Sequence, residues 1–236
     1  MVNAIVFSMN RAMQLDLCLR SMKRYAAQLY PPIVMRRATA AAFERGYGEV
    51  RAEHPGLVWT DQEDFKLKLI GLIRGPQTML LVDDDVFFRR LPEIEEVKPG
   101  TCYSIRLEDE TGYALTPSLS GRGGYSVDGN IHRSEELRAA LEAIEFSDPC
   151  KMEEQLNWNP SVRPVVEVHG ARRCLVNIPH NKVQTIFPAN PSMGGSAEEL
   201  NERYLAGERI DLDAMDFSNV TGPHAFLPYV FRRSDA

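Results

Sequence analysis

Met79-Leu80-Leu81-Val82-Asp83-Asp84-Asp85 is the stretch on which the reading of the chain turns: four apolar residues run directly into three carboxylates. An uninterrupted apolar run of this length, after the breaker Gly75-Pro76, reads as a buried strand. Just upstream, Phe65, Leu69, Leu72 and Ile73 recur at helical spacing. Helix, breaker and buried strand make one α/β step, and the carboxyl end of a strand is where such sheets gather ligands.

Outward from this point the pattern repeats. Ala4 to Ser8 is a β-prone run, and Leu15, Leu19, Met22, Ala26 and Leu29 share a helical face until Pro31-Pro32. Ile33-Val34-Met35 predicts a second strand, followed by a helix over 40–44 that stops before Gly46. Strand and helix in alternation predict an α/β fold with a mostly parallel, doubly wound sheet. The second half is less regular. Gly121 to Gly129 is rich in glycine, Leu137, Ala140, Leu141 and Ile144 mark a helix from Ser134, and Asp148-Pro149 opens another that ends before Pro160. Ser196-Ala-Glu-Glu199 is a capping box for a helix closed by Gly207. This half reads as the side that receives an acceptor.

Composition narrows the function. In 236 residues, 44% hydrophobic, there is material for one core, and 27 Lys+Arg against 33 Asp+Glu leave a net charge of −6. No broad basic field exists to hold nucleic acid. The amino terminus lacks a basic leader with a long apolar run, and no later run is long enough to span a bilayer. The expected setting is cytoplasmic, soluble or peripherally associated with a membrane. Cys18, Cys102, Cys150 and Cys174 are scattered, with no Cys-x-x-Cys pair, and read as reduced, mostly buried thiols.

The triplet carries the chemistry. Before Arg89 no basic residue nearby in sequence offsets it, so a cation is expected there. Side chains alternate along a strand, so Asp83 and Asp85 are expected on one side, sharing a hard divalent ion such as Mg²⁺ or Mn²⁺, with Asp84 turned away. An ion held by two carboxylates keeps positions open for the oxygens of a diphosphate and stabilises charge on a departing one. The competing reading is a capped, solvated strand end.

The segments Ala-Ile-Val-Phe-Ser-Met-Asn-Arg at 4–11, Leu-Leu-Val-Asp-Asp-Asp-Val-Phe at 80–87 and Ser-Val-Asp-Gly-Asn-Ile-His-Arg at 126–133 resemble the GT-A glycosyltransferases. The resemblance is to the nucleotide-diphospho-sugar transferase superfamily and its family-2-like members, and it covers most of the chain in order. It implies a single GT-A domain over 1–236, with a nucleotide-binding half near 1–100 and an acceptor half over 101–236. By position it gives Ser8, Asn10 and Arg11 contact with the nucleotide, along with Asp83 and Asp84. The Asp-x-Asp motif falls on Asp83 and Asp85, with Asp85 a direct ligand of Mn²⁺ or Mg²⁺. Asp128, before Gly129, is implied beside the transferred sugar, although an Asp before a Gly is also a common turn. A carboxylate at the start of a later helix serves as base in inverting members, which implies Glu153 or Glu154; this chain has Glu-Glu where the usual pair is Glu-Asp. Thr221-Gly-Pro-His224 resembles the arrangement in which a histidine completes the metal shell.

The implied activity is metal-dependent transfer of a sugar from a nucleoside diphosphate sugar to a hydroxyl of a saccharide or other small acceptor, with self-association as a homodimer left open. A nucleotidyltransferase acting on sugar phosphates is the alternative, although Ser8-Met-Asn-Arg11 has no glycine for a phosphate loop. A phosphatase with an aspartyl nucleophile wants a threonine where Phe87 stands. A non-catalytic nucleotide- or carbohydrate-binding module is the fourth reading. Arg173, Arg232 and Arg233 read as solvated surface arginines more than phosphate ligands. Asn177, Asn181 and Gln184 supply amides of the kind that read sugar hydroxyls. His132, His169 and His180 carry no comparable signal.

Overall fold

The computed structural model describes residues 2–106, 124–169, 173–184 and 192–234. In chain order the elements are β1 (Val2–Met9), α1 (Ala12–Tyr25), β2 (Ile33–Arg37), α2 (Ala41–Glu53), β3 (Val58–Asp61), α3 (Phe65–Leu72), β4 (Gln77–Val82), β5 (Asp85–Phe87) and β6 (Thr101–Ser104). Then follow β7 (Asn130–Arg133), α4 (Ser134–Glu142), α5 (Pro149–Trp158), β8 (Val166–His169), β9 (Leu175–Asn177), α6 (Ala197–Leu205), β10 (Glu208–Ile210) and β11 (Phe231–Arg233).

Among the described residues, seven strands form one sheet in the order β3-β2-β1-β4-β7-β6-β8. β1 pairs in parallel with β2 and β4, and β2 with β3. β7 is antiparallel to both β4 and β6, and β6 is parallel to β8. One strand in seven is therefore reversed, and the mostly parallel α/β expectation is met. The order of the first four strands is that of a Rossmann-like half.

Alternation along the strands feeds two cores. Ala4 and Val6 of β1 join Met79 and Leu81 of β4 on the face covered by α1, α2 and α6. Ile5, Phe7 and Leu80 face the opposite way, onto α3, α4 and α5. The period-2 switch puts every one of these strand residues inside a core, which is why the runs read as uniformly apolar.

The boundaries departed from expectation in three places. α1 ends at Tyr25, and Ala27–Leu29 forms a separate 3-10 turn ahead of the prolines. α2 does not stop at Gly46 but continues to Glu53. Gly46 is there for closeness: a Cβ would overlap Asn201 of α6 and press on Ala12 of α1. β3 was missed, since its four residues are partly exposed at the sheet edge and carry no alternation. The predicted caps are present: Asp148 Oδ1 accepts from Lys151 N at 2.9 Å, and Ser196 Oγ accepts from Glu199 N at 3.0 Å. Part of the glycine-rich stretch, 121–123, and residues 170–172 ahead of Arg173 lie outside the described residues.

Candidate active site at the carboxyl rim of the sheet

The reversed strand brings the site together. β1, β4, β6 and β8 all end at one rim of the sheet, and β7, running the other way, begins there. The loop after β1 (Arg11), the turn after β4 (Asp83 and Asp84), the segment after β6 (Arg106) and the turn before β7 (Asp128) thus share one edge. Gly129 makes this possible. Its φ is +90, its N–H donates to Leu80 O at 2.8 Å, and a Cβ would overlap Leu175.

The triplet is not a continued strand. Val82 ends β4, Asp83 and Asp84 form a turn, and Asp85 opens β5, which pairs with β9 through Asp85 and Asn177. The expectation that Asp83 and Asp85 share a side by alternation is corrected by that turn, because alternation holds only while the chain stays extended. The pair that shares one cation is Asp83 and Asp84. Arg11 Nη1 donates to Asp83 Oδ1 at 3.0 Å and to Asp84 Oδ2 at 2.7 Å. The triplet's missing counter-charge is therefore Arg11, distant in sequence and adjacent in space.

Every carboxylate of the triplet is engaged. Asp83 Oδ2 accepts from Ser8 Oγ at 2.7 Å and from Met9 N at 3.2 Å. Ser8 also shares a hydrogen bond with Tyr47 at 2.7 Å and is itself buried. Asp84 Oδ1 and Asp85 Oδ1 both accept from Asn177 Nδ2, at 2.9 and 3.2 Å, and Asp85 Oδ2 accepts from Val82 N at 3.0 Å. Asn10 has a left-handed φ of 59 and clasps Thr39 through both side-chain atoms, at 2.8 and 2.9 Å. Of the nucleotide-contact residues expected from sequence, Ser8 serves Asp83, Arg11 serves Asp83 and Asp84, and Asn10 holds the loop.

A looser group lies beside it. Asp128 Oδ2 is 3.8 Å from Arg106 Nη1 and 4.0 Å from His224 Nε2. Arg106 also donates to Glu167 Oε1 at 3.3 Å, and its buried Nε has no partner. His224 arrives on a segment bridged to β9 at Asn177. Glu153, on α5, is partly buried beside Ser126 and Val127 and interacts with Asp128 and Arg106. Glu154 is not brought to the site. It pairs with Lys151 at 2.6 Å on the outer side of α5.

Electrostatics separate the groups by role. Burial pushes the Asp83 carboxyl up to about 6, although Arg11 opposes the shift. Asp85 lies well above the ordinary carboxylate range because it is fully buried and faces Asp128. Burial raises Asp128 as well, against Arg106 and His224. Glu153 is pushed up to about 7 by burial and by the charge of Asp128. Burial opposes the charge on Arg11, but Asp84 and Asp83 outweigh it and hold the guanidinium protonated. Burial thus raises the proton affinity of four carboxyls at one rim, and a cation bound there would offset the cost of their charged forms.

The chemistry of the donors fits a divalent ion. Asp128 and His224 face each other with side chains 19% and 20% exposed, and a carboxylate with an imidazole suits Mn²⁺. Asp83, Asp84 and Asp85 lie at the same rim but already have partners, and among the described residues the rim holds no ready-made trio of ligand atoms within 4.8 Å of one another. Elsewhere among the described residues, Asp16, Glu53 and His54 bring three ligand atoms within 4.8 Å of one another. Arg20 and Arg209 already neutralise that group: Arg20 pairs with Asp16 at 2.8 Å, and Arg209 grips Glu53 through two nitrogens.

Of the other residues named from sequence, some sit at the rim and some away from it. Arg232 sits on the β10–β11 hairpin, 4.0 Å from Asp211. Asn177 and Asn181 are present, yet Asn177 serves Asp84 and Asp85, and Asn181 serves Arg11 and Gln14. His132 is buried against Tyr125 with neither ring nitrogen bonded, and burial lowers it to about 4. Arg106 was missed. Nothing local marks it, since its partners are 22 and 61 residues on.

No family model matches the sequence, and no curated protein does. Among solved structures the chain is similar to a CTP:phosphocholine cytidylyltransferase from Streptococcus pneumoniae, at 9% identity over 75% of this chain and 92% of that one, with a TM-score of 0.44. It is also similar to a 4-diphosphocytidyl-2C-methyl-D-erythritol synthase from Anaerococcus prevotii, at 11% identity, 71% and 87% coverage and a TM-score of 0.38. A third similarity is to a glycosyltransferase involved in glycosylation of the major capsid of PBCV-1, at 8% identity, 86% and 99% coverage and a TM-score of 0.36. The chain's own sheet gives the coarse assignment. It is a Rossmann-like α/β fold. Among the described residues no helix is long and apolar enough to cross a membrane.

Proposed function

We propose that the chain is a metal-dependent glycosyltransferase of the GT-A kind, moving a sugar from a nucleoside diphosphate sugar to a hydroxyl. The observation that carries the reading is Glu153. A carboxyl raised to about 7 stands across from Asp128 at the rim where the triplet ends. A sugar hydroxyl is a poor nucleophile until its proton is taken, and a carboxylate of near-neutral pKa within reach is suited to take it.

In this reading Glu153 accepts the acceptor's proton as the hydroxyl oxygen bonds to the anomeric carbon. The bond from that carbon to the phosphate oxygen breaks, and its electron pair leaves with the nucleoside diphosphate. Arg11 supplies fixed positive charge beside that leaving group, and Arg106 holds Asp128 and Glu153 at the sugar's side. Asp128, His224 and the triplet would hold an Mn²⁺ or Mg²⁺, which would supply Lewis-acid stabilisation of the diphosphate. Asn10 and Thr39 shape the loop on the nucleoside side.

A second reading has an observation of its own. Arg11 sits at the amino end of α1, a 14-residue helix with no side-chain cap, and that combination also suits nucleotidyl transfer at phosphorus. Two assays separate them. A panel of UDP-, GDP-, CDP- and TDP-sugars with Mn²⁺ or Mg²⁺ should release the nucleoside diphosphate. Release of pyrophosphate from a nucleoside triphosphate and a sugar phosphate instead would replace the first reading with the second. Before turnover is known, melting with each diphosphate and Mn²⁺, Mg²⁺ or EDTA should show one diphosphate stabilising the native chain only with metal. At a hundred times the dissociation constant the gain is about 2.7 kcal/mol, and Asp85→Asn should remove it. Stabilisation by none, in any metal, would leave the triplet a structural feature.

A further inference from the structure

Arg11 occupies the place where the triplet would be expected to hold an ion. Its Nη1 lies between Asp83 Oδ1 and Asp84 Oδ2, at 3.0 and 2.7 Å, and its Nη2 donates to the Asn181 carbonyl. The residue is only 8% exposed. A magnesium-sized ion binds carboxylate oxygen at about 2.1 Å. An ion bridging both of those oxygens would take the place that Nη1 holds between them, and a divalent and a monovalent cation so close together in a poorly solvated pocket repel by far more than thermal energy. Both cannot bridge this pair of oxygens at once.

The surroundings of Arg11 are consistent with a group that has another position. Its Nε is buried with no hydrogen-bond partner, and so are Gln14 Oε1 and Asn181 Nδ2 on the same polar cluster. Exchanging oxygen and nitrogen in both amides keeps the Gln14–Asn181 bond and still leaves an acceptor and a donor unmatched. Buried groups without partners cost stability, so this arrangement is not the one in which every donor is used. A diphosphate at the rim offers acceptor oxygens to Nε and Nη together, as a fork that the two aspartates do not satisfy.

We propose that Arg11 is the resident cation of the triplet and that a divalent ion competes with it for Asp83 and Asp84. Entry of the ion frees the guanidinium, which then meets the phosphates of the donor. This rests on the metal-dependent reading above and adds an order to it: ion first, arginine released, donor then held by both. The same contact keeps the empty site neutral enough to fold.

The test is Mn²⁺ binding without nucleotide, read from loss of the free-ion electron paramagnetic resonance signal. Arg11→Met, with similar length and no charge, should bind Mn²⁺ at least tenfold more tightly than the native chain, and Arg11→Lys should stay close to native. If Arg11→Met binds Mn²⁺ no better than native, the competition is wrong while metal binding stands. If none of the three proteins binds Mn²⁺, the metal reading itself falls and this proposal with it. Should Arg11→Met fail to fold, the native chain decides. Modification of Arg11 by butanedione, followed by mass spectrometry of its peptide, should rise several-fold on adding Mn²⁺, and an unchanged rate would overturn the proposal.

Discussion

The two halves of the rim are built to different tolerances. Around Asp83, Asp84 and Asp85 the contacts are 2.7 to 3.2 Å and every carboxylate oxygen named has a donor. Around Asp128 the nearest side-chain nitrogens, of Arg106 and His224, are at 3.8 and 4.0 Å, and Arg106, like Arg11, keeps its Nε unbonded. The carboxylates of the first half are all satisfied, although the groups behind Arg11 are not, and the second half is loose throughout. Tightly held carboxylates on one side and loosely held ones on the other suit two subsites of different rigidity, with Arg11 the one member of the tight side proposed to move.

The largest expected effect tests the loose half. Glu153→Gln should lower kcat by roughly 10² to 10⁴ under the proposed chemistry while leaving donor binding in place. For the native chain, kcat/KM should rise with pH through about 7, the value to which the base is raised, and level off above it. Linkage gives a companion sign. A carboxyl raised from 4.5 to about 7 contributes stability that is whole below 4.5 and lost as pH climbs to 7. Glu153→Gln should therefore melt higher than native at pH 8 and not at pH 5. A pH-independent difference would detach Glu153 from the rim's electrostatics.

Next comes stability, where the halves should diverge. Asp83→Ala strips Arg11 of one of its two buried carboxylate partners and should cost about 3 kcal/mol in urea unfolding. Asp128→Ala, with only its long contacts to lose, should change stability by less than about 1 kcal/mol. Equal costs would erase the distinction drawn between them. Gly129→Ala, forced into a left-handed φ against Leu175, should cost about 1 to 3 kcal/mol and weaken both halves together, since that turn joins β7 to β4. The smallest change is Asp148→Ala. Loss of the α5 cap should cost about 1 kcal/mol, and it sharpens the comparison by loosening the helix of Glu153 without touching the triplet.

Much of the fold was legible. β1, β2 and β4 announce themselves because their residues are buried on both faces, and α5 and α6 because Asp148 and Ser196 cap them by local hydrogen bonds. β3 was not, because an edge strand with half-exposed residues has no pattern to show. The Gly46 misreading has a physical source: a glycine inside a helix looks like a stop unless the neighbouring helix that needs the space is known. The site divides in the same way. The triplet is visible as sequence, but its turn, its arginine and its asparagine are set by contacts 72, 73, 92 and 93 residues apart. Glu153 and Glu154 are indistinguishable until the helix phase turns one inward and leaves the other with Lys151.

Asn177 has a consequence for the order of assembly. Its amide reaches Asp84 across 93 residues, whereas Arg11 reaches the same carboxylate from the amino-terminal side. On a ribosome adding about 5 to 20 residues each second, the triplet emerges roughly 5 to 20 s before the asparagine exists. During that interval the young β1–β4 unit has Arg11 as its only one of these two clasps, so the arginine is the nascent chain's own chaperone for three adjacent negative charges.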